Sequence, residues 1–256
     1  MMSDSGRPGA VRRERLVPEH AARRARGLIR AATSRGQASG RGLSEREGKA
    51  ILALYGIRTP RELLAGSSED AVLAAEQIGY PVTLKAESPY LIHTSETGTI
   101  IPDVADVTML RSRFKRALTN AWSWSPADSV VGVLIQETVP SGTNAIVGVM
   151  RDPREQPVVV CELPGEAAEG GQTAKDVQLL EPPFDAAEAH RALSQLHGYP
   201  RLAGADTDAL VDVLLRFSEL ALDLGDLVHE IGVNPLIVAG PGRGACAVDC
   251  LVVVGE

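Results

Sequence analysis

Side chains able to do chemistry gather in residues 79–98, Gly-Tyr-Pro-Val-Thr-Leu-Lys-Ala-Glu-Ser-Pro-Tyr-Leu-Ile-His-Thr-Ser-Glu-Thr-Gly. A short apolar run, 82–84, delivers Lys85, one of four lysines in the chain, and a Ser88-Pro89 turn then precedes His93. An ammonium on a buried-looking strand is costly unless an anion pairs with it, and a polyphosphate would serve. A neutral imidazole is nucleophilic, which gives His93 the chemistry of a phosphoryl acceptor. Taken without its neighbours, a histidine after such a turn is more often an ordinary loop residue.

A second constellation lies near the C-terminus. Residues 228–238 read as a strand, Gly240-Pro241-Gly242-Arg243 as a turn, and 245–254 as the returning strand of a hairpin. A four-residue loop at 240–243 sets the register so that Asn234 stands opposite Asp249. An amide oxygen beside a carboxylate suits a hard cation such as Mg²⁺, which keeps waters and bridges nucleotide phosphates. Glu230 and Gly232 share the strand face of Asn234 because side chains alternate. An Asn-Pro pair and a strand Asp also fit a simple turn-organising role.

The elements that must position these residues alternate in type. Ser44 and Glu47 form a capping-box pattern before a helix ending at Gly56. A strand at 61–65, a helix from Ser67/Ser68 through Ile78, and the Lys85 strand come after it, and this alternation points to an α/β lobe. A helix over 107–119, a polar stretch at 120–129 with Trp122 and Trp124, and a strand over 130–139 come next. Strands at 143–150 and 156–162 make a hairpin, another strand is read at 176–180, and two helices are expected over 185–196 and 206–224.

Composition narrows the class. A chain of 256 residues with 44% hydrophobic content suffices for one large domain or two lobes. No apolar run reaches the roughly 20 residues that cross a bilayer, and no signal-type segment opens the chain, so a cytoplasmic protein is expected. Cys161, Cys246 and Cys250 lack zinc-type spacing and read as small core residues. The net charge of −7 conceals ten arginines against three acids in residues 1–42 and a strongly acidic remainder, which disfavours nucleic acid as the main partner. The Arg-rich head, 1–42, reads as a flexible solvated segment with one helix near residues 18–32.

The 79–98 stretch resembles the signature of the ATP-grasp domain of ADP-forming acyl-CoA synthetases, the acetate–CoA ligase β subunits, and more distantly the succinyl-CoA synthetase β subunits. That signature is approximately Gly-Tyr-Pro-Val-x-x-Lys-x-x-Ser-Pro-x-x-x-His-Lys-[Ser/Thr]-Asp-x-Gly-Gly. Gly79, Tyr80, Pro81, Lys85, Ser88, Pro89, His93 and Gly98 match it, whereas Thr94, Glu96 and Thr99 replace its Lys, Asp and Gly. Further matches are Tyr55-Gly56-Ile57-Arg58-Thr59-Pro60, Asp152-Pro153, Lys175-Asp176-Val177, and Asn234-Pro235-Leu236 with Asp249. The likeness runs from about Leu43 to the C-terminus.

The resemblance implies an α/β (α+β) ATP-grasp fold with a nucleotide cleft between two lobes, 43–128 and 129–256. It implies ATP/ADP and Mg²⁺ as cofactors, Lys85 on phosphates, Asn234 and Asp249 on the metal, and His93 as the phosphoryl relay. The 130–139 strand would be the hinge, with Gln136, Glu137 and Val139 reading adenine through backbone groups. A CoA-binding, acyl-handling subunit on a separate chain is implied as partner, because this chain carries no second α/β domain. The departures are Glu162-Leu163-Pro164-Gly165 in place of a glycine-rich loop, Asn144 for Glu, Gly232 for an acid, and no Gly-x-Arg-Gly near Leu202. They keep open a degenerate ATP-grasp protein with a scaffolding role; another ATP-grasp carboxylate ligase is a further alternative.

Overall fold

Period-2 apolar runs bounded by Gly, Pro and Ser alternate with 3.6-period apolar stripes, and the chain folds accordingly into strands and helices. The computed structural model describes residues 15–34, 43–88, 91, 98–126, 129–164 and 176–255. In order these form α1 (Glu19–Ala32), α2 (Glu45–Leu54), β1 (Glu62–Ala65), α3 (Ser68–Ile78), β2 (Val82–Glu87), β3 (Ile100–Val104) and α4 (Val107–Trp124). The second half of the chain forms β4 (Gly132–Glu137), β5 (Thr143–Arg151), β6 (Pro157–Glu162), β7 (Val177–Leu180), α5 (Ala186–Ser194), α6 (Thr207–Leu224), β8 (Val228–Val238), β9 (Ala245–Ala247) and β10 (Leu251–Val254). A 3₁₀ turn, Tyr199–Leu202, lies between α5 and α6.

Helix starts are set locally. Ser44 and Glu47 make the expected capping box on α2, Asp185 and Glu188 make another on α5, and Ser67, Asp106 and Asp206 cap α3, α4 and α6. Each such cap contributes about 1 kcal/mol by satisfying an amide that the helix cannot.

Two antiparallel sheets organise the molecule: a four-stranded one ordered β1-β4-β2-β3, and a six-stranded one ordered β10-β8-β5-β6-β7 with β9 also on β8. Helices α3 and α4 cover one face of the first sheet, closing a core of Ala71, Ala75, Leu84, Leu110, Phe114, Val133 and Ile135 among others. A larger core lies under the second sheet, where α5 and α6 pack together with α1 and α2. Among the described residues no helix is long and apolar enough to cross a membrane. The three cysteines are buried thiols, Cys161 and Cys250 within the larger core, and burial pushes Cys161 up to about 12.

Several expectations are corrected by packing. The helix near residues 18–32 exists, but it is no solvated tail: Val17, Ala21, Ala25, Ile29 and Ala32 are buried in the larger core. Its stripe of small residues at three- and four-residue spacing lets it lie close to its neighbours, and Arg26 closes a bidentate pair with Asp226 at 2.6 Å on each arm. Helix α4 runs on to Trp124 because Ala117 and Ala121 continue its buried stripe, so residues 120–124 are helical. The lobes expected to divide at 128/129 group differently by sheet and core. Strand β4 is an inner strand of the four-stranded sheet, while α2 packs into the core of the six-stranded one. The return strand expected over 245–254 is two strands, broken at 248–250. Pro235 opposite that break has no N–H to offer a ladder, and Val248 N instead donates to the Pro235 carbonyl at 3.1 Å.

Candidate functional site

Strand β2 presents Leu84 and Val82 to the core beneath α3 and α4, so Thr83, Lys85 and Glu87 point to the opposite face. Register puts Glu62, Gln136 and Thr83 in one row across that face and Leu64, Leu134 and Lys85 in the next. Helix α2 reaches this face with two side chains one turn apart. Lys85 Nζ donates to Glu45 Oε1 at 2.6 Å and to the Val248 carbonyl at 3.0 Å, and the residue is only 4% exposed. Lys49, 3% exposed, lies 2.5 Å from the same Glu45 oxygen, and its ammonium donates to Glu62 Oε2 at 2.7 Å and Gln136 Oε1 at 3.0 Å.

Glu45 thus neutralises two buried ammoniums at once. Burial alone would raise its pKa, but Lys85 and Lys49 outweigh that and hold the carboxyl below the usual range. Burial likewise works against the charge on Lys49, and Glu45 with Glu62 reverses it, leaving that ammonium above its ordinary value. The anion that the Lys85 strand requires is therefore supplied within the chain, and Lys85 retains one N–H beyond its contacts with Glu45 and Val248.

The Val248 contact carries a second consequence: it sets the Lys85 ammonium one peptide away from Asp249, joining the two constellations found in the sequence. Leu236 pairs with Ala247 and Gly232 with Leu251, so counting inward from both sides leaves Asn234 across from Asp249, as expected. Burial, reinforced by the charge of Glu45 and opposed by Lys85 and Lys49, pushes the Asp249 carboxyl above its usual range. Asn234 is exposed and Asp249 half-buried. Among the described residues no three of His, Cys, Asp and Glu converge as a metal cage. One carboxylate and one amide oxygen fit a cation that takes most of its ligands from water and phosphate, which is the habit of Mg²⁺.

The expected adenine readers are mostly engaged elsewhere. The Gln136 side chain, 1% exposed, accepts from Lys49. The Glu137 amide donates to the Arg61 carbonyl at 2.8 Å, and its carboxylate accepts from Arg61 Nε at 2.9 Å, which lowers its pKa. Val139 lies half-buried in the 138–142 connection that leaves the four-stranded sheet. His93 falls outside the described residues.

The described residues on either side of 165–175 are both tied to the 3₁₀ turn at Tyr199–Leu202 and its approach. Arg201 donates to the carbonyls of Leu163 and Pro164, so its guanidinium serves as a brace there. Asp176 accepts from the amides of His197 and Gly198 at 2.8 and 2.6 Å, which draws the start of β7 onto the same 3₁₀ turn.

Glu45, Lys49 and Glu62 were not among the sequence candidates. Glu45 sits in the first turn of α2, where an acid is already favourable to the helix dipole, and Lys85 stands 40 positions from Glu45 and 163 from Val248 in the chain. One usable signal was present: Lys49 is one of four lysines and stands on the helix stripe shared with Ile51 and Leu52.

The chain as a whole resembles known proteins. Residues 35–254 match the ATP-grasp domain family. This chain belongs to that family. The β subunit of acetate–CoA ligase [ADP-forming] II from Pyrococcus furiosus is 33% identical over 82% of this chain and 90% of its own. Among solved structures, a Pyrococcus horikoshii protein superposes with a TM-score of 0.84 at 30% identity, covering 92% of this chain and 99% of the other. A Korarchaeum cryptofilum dinucleotide-forming acetyl-coenzyme A synthetase 1 gives 0.74 at 26%, over 90% and 100%. That structure contains coenzyme A and Mg-AMPPCP, with its phosphohistidine segment pointing towards the nucleotide site. The ATP-grasp fold and the family resemblance read from the sequence are thus established for this chain.

Proposed function

We propose that this protein is the nucleotide-binding subunit of an ADP-forming acyl-CoA synthetase, catalysing acyl-CoA + ADP + phosphate ⇌ carboxylate + CoA + ATP together with a CoA-binding, acyl-handling chain. The observation that carries this reading is the meeting of Lys85 and Asp249, the phosphate cation and the metal acid, through the Val248 carbonyl. Family membership and relatives named as β subunits support the rest.

Each residue then has a distinct task. The remaining N–H of Lys85 points the cation at a phosphate oxygen, and its burial strengthens that contact because little water screens it. Asn234 and Asp249 would hold Mg²⁺, which when bound neutralises phosphate charge. Glu45 and Lys49 keep Lys85 in place. His93, from its match to the family motif, would accept a phosphoryl group on a ring nitrogen from the partner's phosphohistidine and release it to the terminal phosphate oxygen of ADP. The P–N bond breaks as the new P–O bond forms, so no co-reactant is needed.

A second reading has its own support. Arg201 is committed to the Leu163 and Pro164 carbonyls, and the sequence near Leu202 lacks the Gly-x-Arg-Gly of the family motif, which favours a nucleotide sensor or scaffold without turnover. Calorimetry of ADP and ATP with and without Mg²⁺ separates the two. The enzyme reading expects micromolar, Mg²⁺-dependent binding that Lys85→Ala and Asp249→Ala both abolish, and labelled phosphate on His93 when the partner chain is added. Binding without transfer, with the partner present, supports the scaffold. No binding at millimolar nucleotide removes the enzyme reading.

A further inference from the structure

We infer that copies of this chain associate head to tail, the outer face of α4 on one copy seating in an apolar, acid-rimmed cavity beside α6 on the next. The inference is independent of the nucleotide site and of the reaction proposed above. Helix α4 buries Leu110, Phe114, Ala117 and Ala121 against its sheet, so its other side chains face outward. It carries four cations, Arg111, Arg113, Lys115 and Arg116, and no acid, in a chain whose net charge is −7. Glu69 pairs with Arg111 at 2.8 Å, and among the described residues no acid stands within ion-pairing distance of Arg113, Lys115 or Arg116. Towards the end of the same helix stand Trp122 and Trp124, 52% and 62% exposed. Lys115 lies two turns before Trp122 and Arg113 three turns before Trp124, so each indole shares a helix stripe with a cation. Tryptophan and arginine are residue types that interfaces concentrate, and this surface calls for an acidic, apolar counterpart.

Such a counterpart lies on the chain itself. A cavity of about 430 Å³ opens between Leu215 and Leu222 of α6, Phe184 before α5, and Leu16 ahead of α1. Its volume falls within the roughly 300–1,000 Å³ of ligand pockets, which admits an indole. Ser218, 4% exposed, also lines it, and among the described residues its hydroxyl has no hydrogen-bond partner. That leaves an acceptor for an indole N–H, which needs one when buried. Three carboxylates, Asp185, Glu219 and Asp223, share the cavity rim with one cation, Arg15. Arg15 is bonded to Asp223, and Glu219 takes its hydrogen bonds from the uncharged amides of Leu16 and Val17, so negative charge is in excess. Apolar walls, a buried acceptor and a negative rim are what a tryptophan flanked by lysine and arginine requires. The α4 helix is packed on the four-stranded sheet and the cavity on the larger core, so the contact forms between copies. Because the two surfaces differ, it is heterologous and extends into a ring or an open chain. Lys85 stands on the sheet face opposite α4, so assembly leaves it uncovered.

Sedimentation velocity of the full-length chain tests this, with Trp122→Ala/Trp124→Ala as the helix variant and Leu222→Lys as the cavity variant. All three positions are exposed, so the fold is kept, checked by an unchanged unfolding temperature. Leu222→Lys removes an apolar wall and cancels part of the excess negative charge. The wild type should gain mass with concentration in the micromolar range, and each variant should weaken association about tenfold or more. The deciding sample is a mixture of the two variants. One keeps only the cavity and the other only the α4 face, so together they form a dimer and nothing larger. A wild type that stays monomeric, association unchanged in either variant, or variants that fail to dimerise on mixing overturns the inference. So does a monomeric wild type whose Trp122→Ala/Trp124→Ala variant instead loses binding to a CoA-binding chain, which assigns α4 to that partner.

Discussion

The two sheets of this ATP-grasp chain present opposite kinds of surface beyond their cores. The four-stranded sheet offers a crowded, charged face in which Lys85, Gln136, Glu62 and the α2 pair Glu45 and Lys49 are buried and mutually hydrogen-bonded. The six-stranded sheet offers a face with a glycine row and exposed polar side chains, Asn234 and Glu230 among them. One surface has its polar groups fixed in advance by partners within the chain; the other keeps backbone and carboxylates open to something that arrives. On the proposed function, such a division would hold the Lys85 ammonium still while metal and nucleotide assemble late on the open side, which lowers the reorganisation needed on binding.

Breaking the crowded side should have the largest effect. Glu45→Ala leaves two buried ammoniums with Glu62 as their remaining acid among these contacts, and a loss of about 3–5 kcal/mol in urea unfolding is expected. The same residue predicts a pH dependence. Its folded pKa is depressed, so its stabilisation is complete above the ordinary carboxylate value of 4.5 and disappears as pH falls through the depressed one. The stability gap between wild type and Glu45→Gln should therefore be widest near pH 7 and shrink progressively below pH 4.5.

The open side is tested by its glycines. Gly148→Ala pushes a methyl onto the Ile231 carbonyl and should cost about 1–3 kcal/mol through strand displacement. Asp206 ties the α6 cap to the β8–β9 turn by accepting from Ala209 at 3.1 Å and Gly244 at 2.8 Å, so Asp206→Ala should cost about 1 kcal/mol, measured by thermal unfolding. The smallest effect belongs to Gly232→Ala, which meets no backbone and should leave the unfolding temperature within error. A large loss there would mean that the two glycines are bare for the same steric reason, and the contrast between them would collapse.

Local rules carried much of this structure. The Ser44/Glu47 capping box, the stops at Gly56 and Gly79, and the register of the last hairpin come from neighbours a few residues apart, and the register of Asn234 against Asp249 needed only a loop length. The features that escaped are long-range. Nothing near Glu45 announces Lys85, and nothing near Val130 announces that β4 would insert between β1 and β2. The Arg-rich head misled because composition averages over a helix whose one buried stripe, Ala21, Ala25 and Ile29, decides its fate. Gln136 and Glu137 were read for their backbone, while the fold uses their side chains to hold Lys49 and Arg61. The family resemblance pointed to Lys85, Asn234 and Asp249 as candidates, but the carboxylate that binds Lys85 emerged only from the tertiary packing of α2.

The chain enters the four-stranded sheet on β1 and leaves it on β4, and these two strands are neighbours, with Glu62 opposite Gln136. Nearly all the buried apolar residues described before residue 58 and after residue 142 share one core. In architectural terms residues 62–137 are a cassette plugged into a host whose two cut ends already lie side by side. Replacing the cassette with a short linker leaves the host core whole and turns Glu45 and Lys49 into surface charges. The face that bears Lys85 can thus be exchanged during evolution or engineering while the face that bears Asn234, and its core, stay as they are.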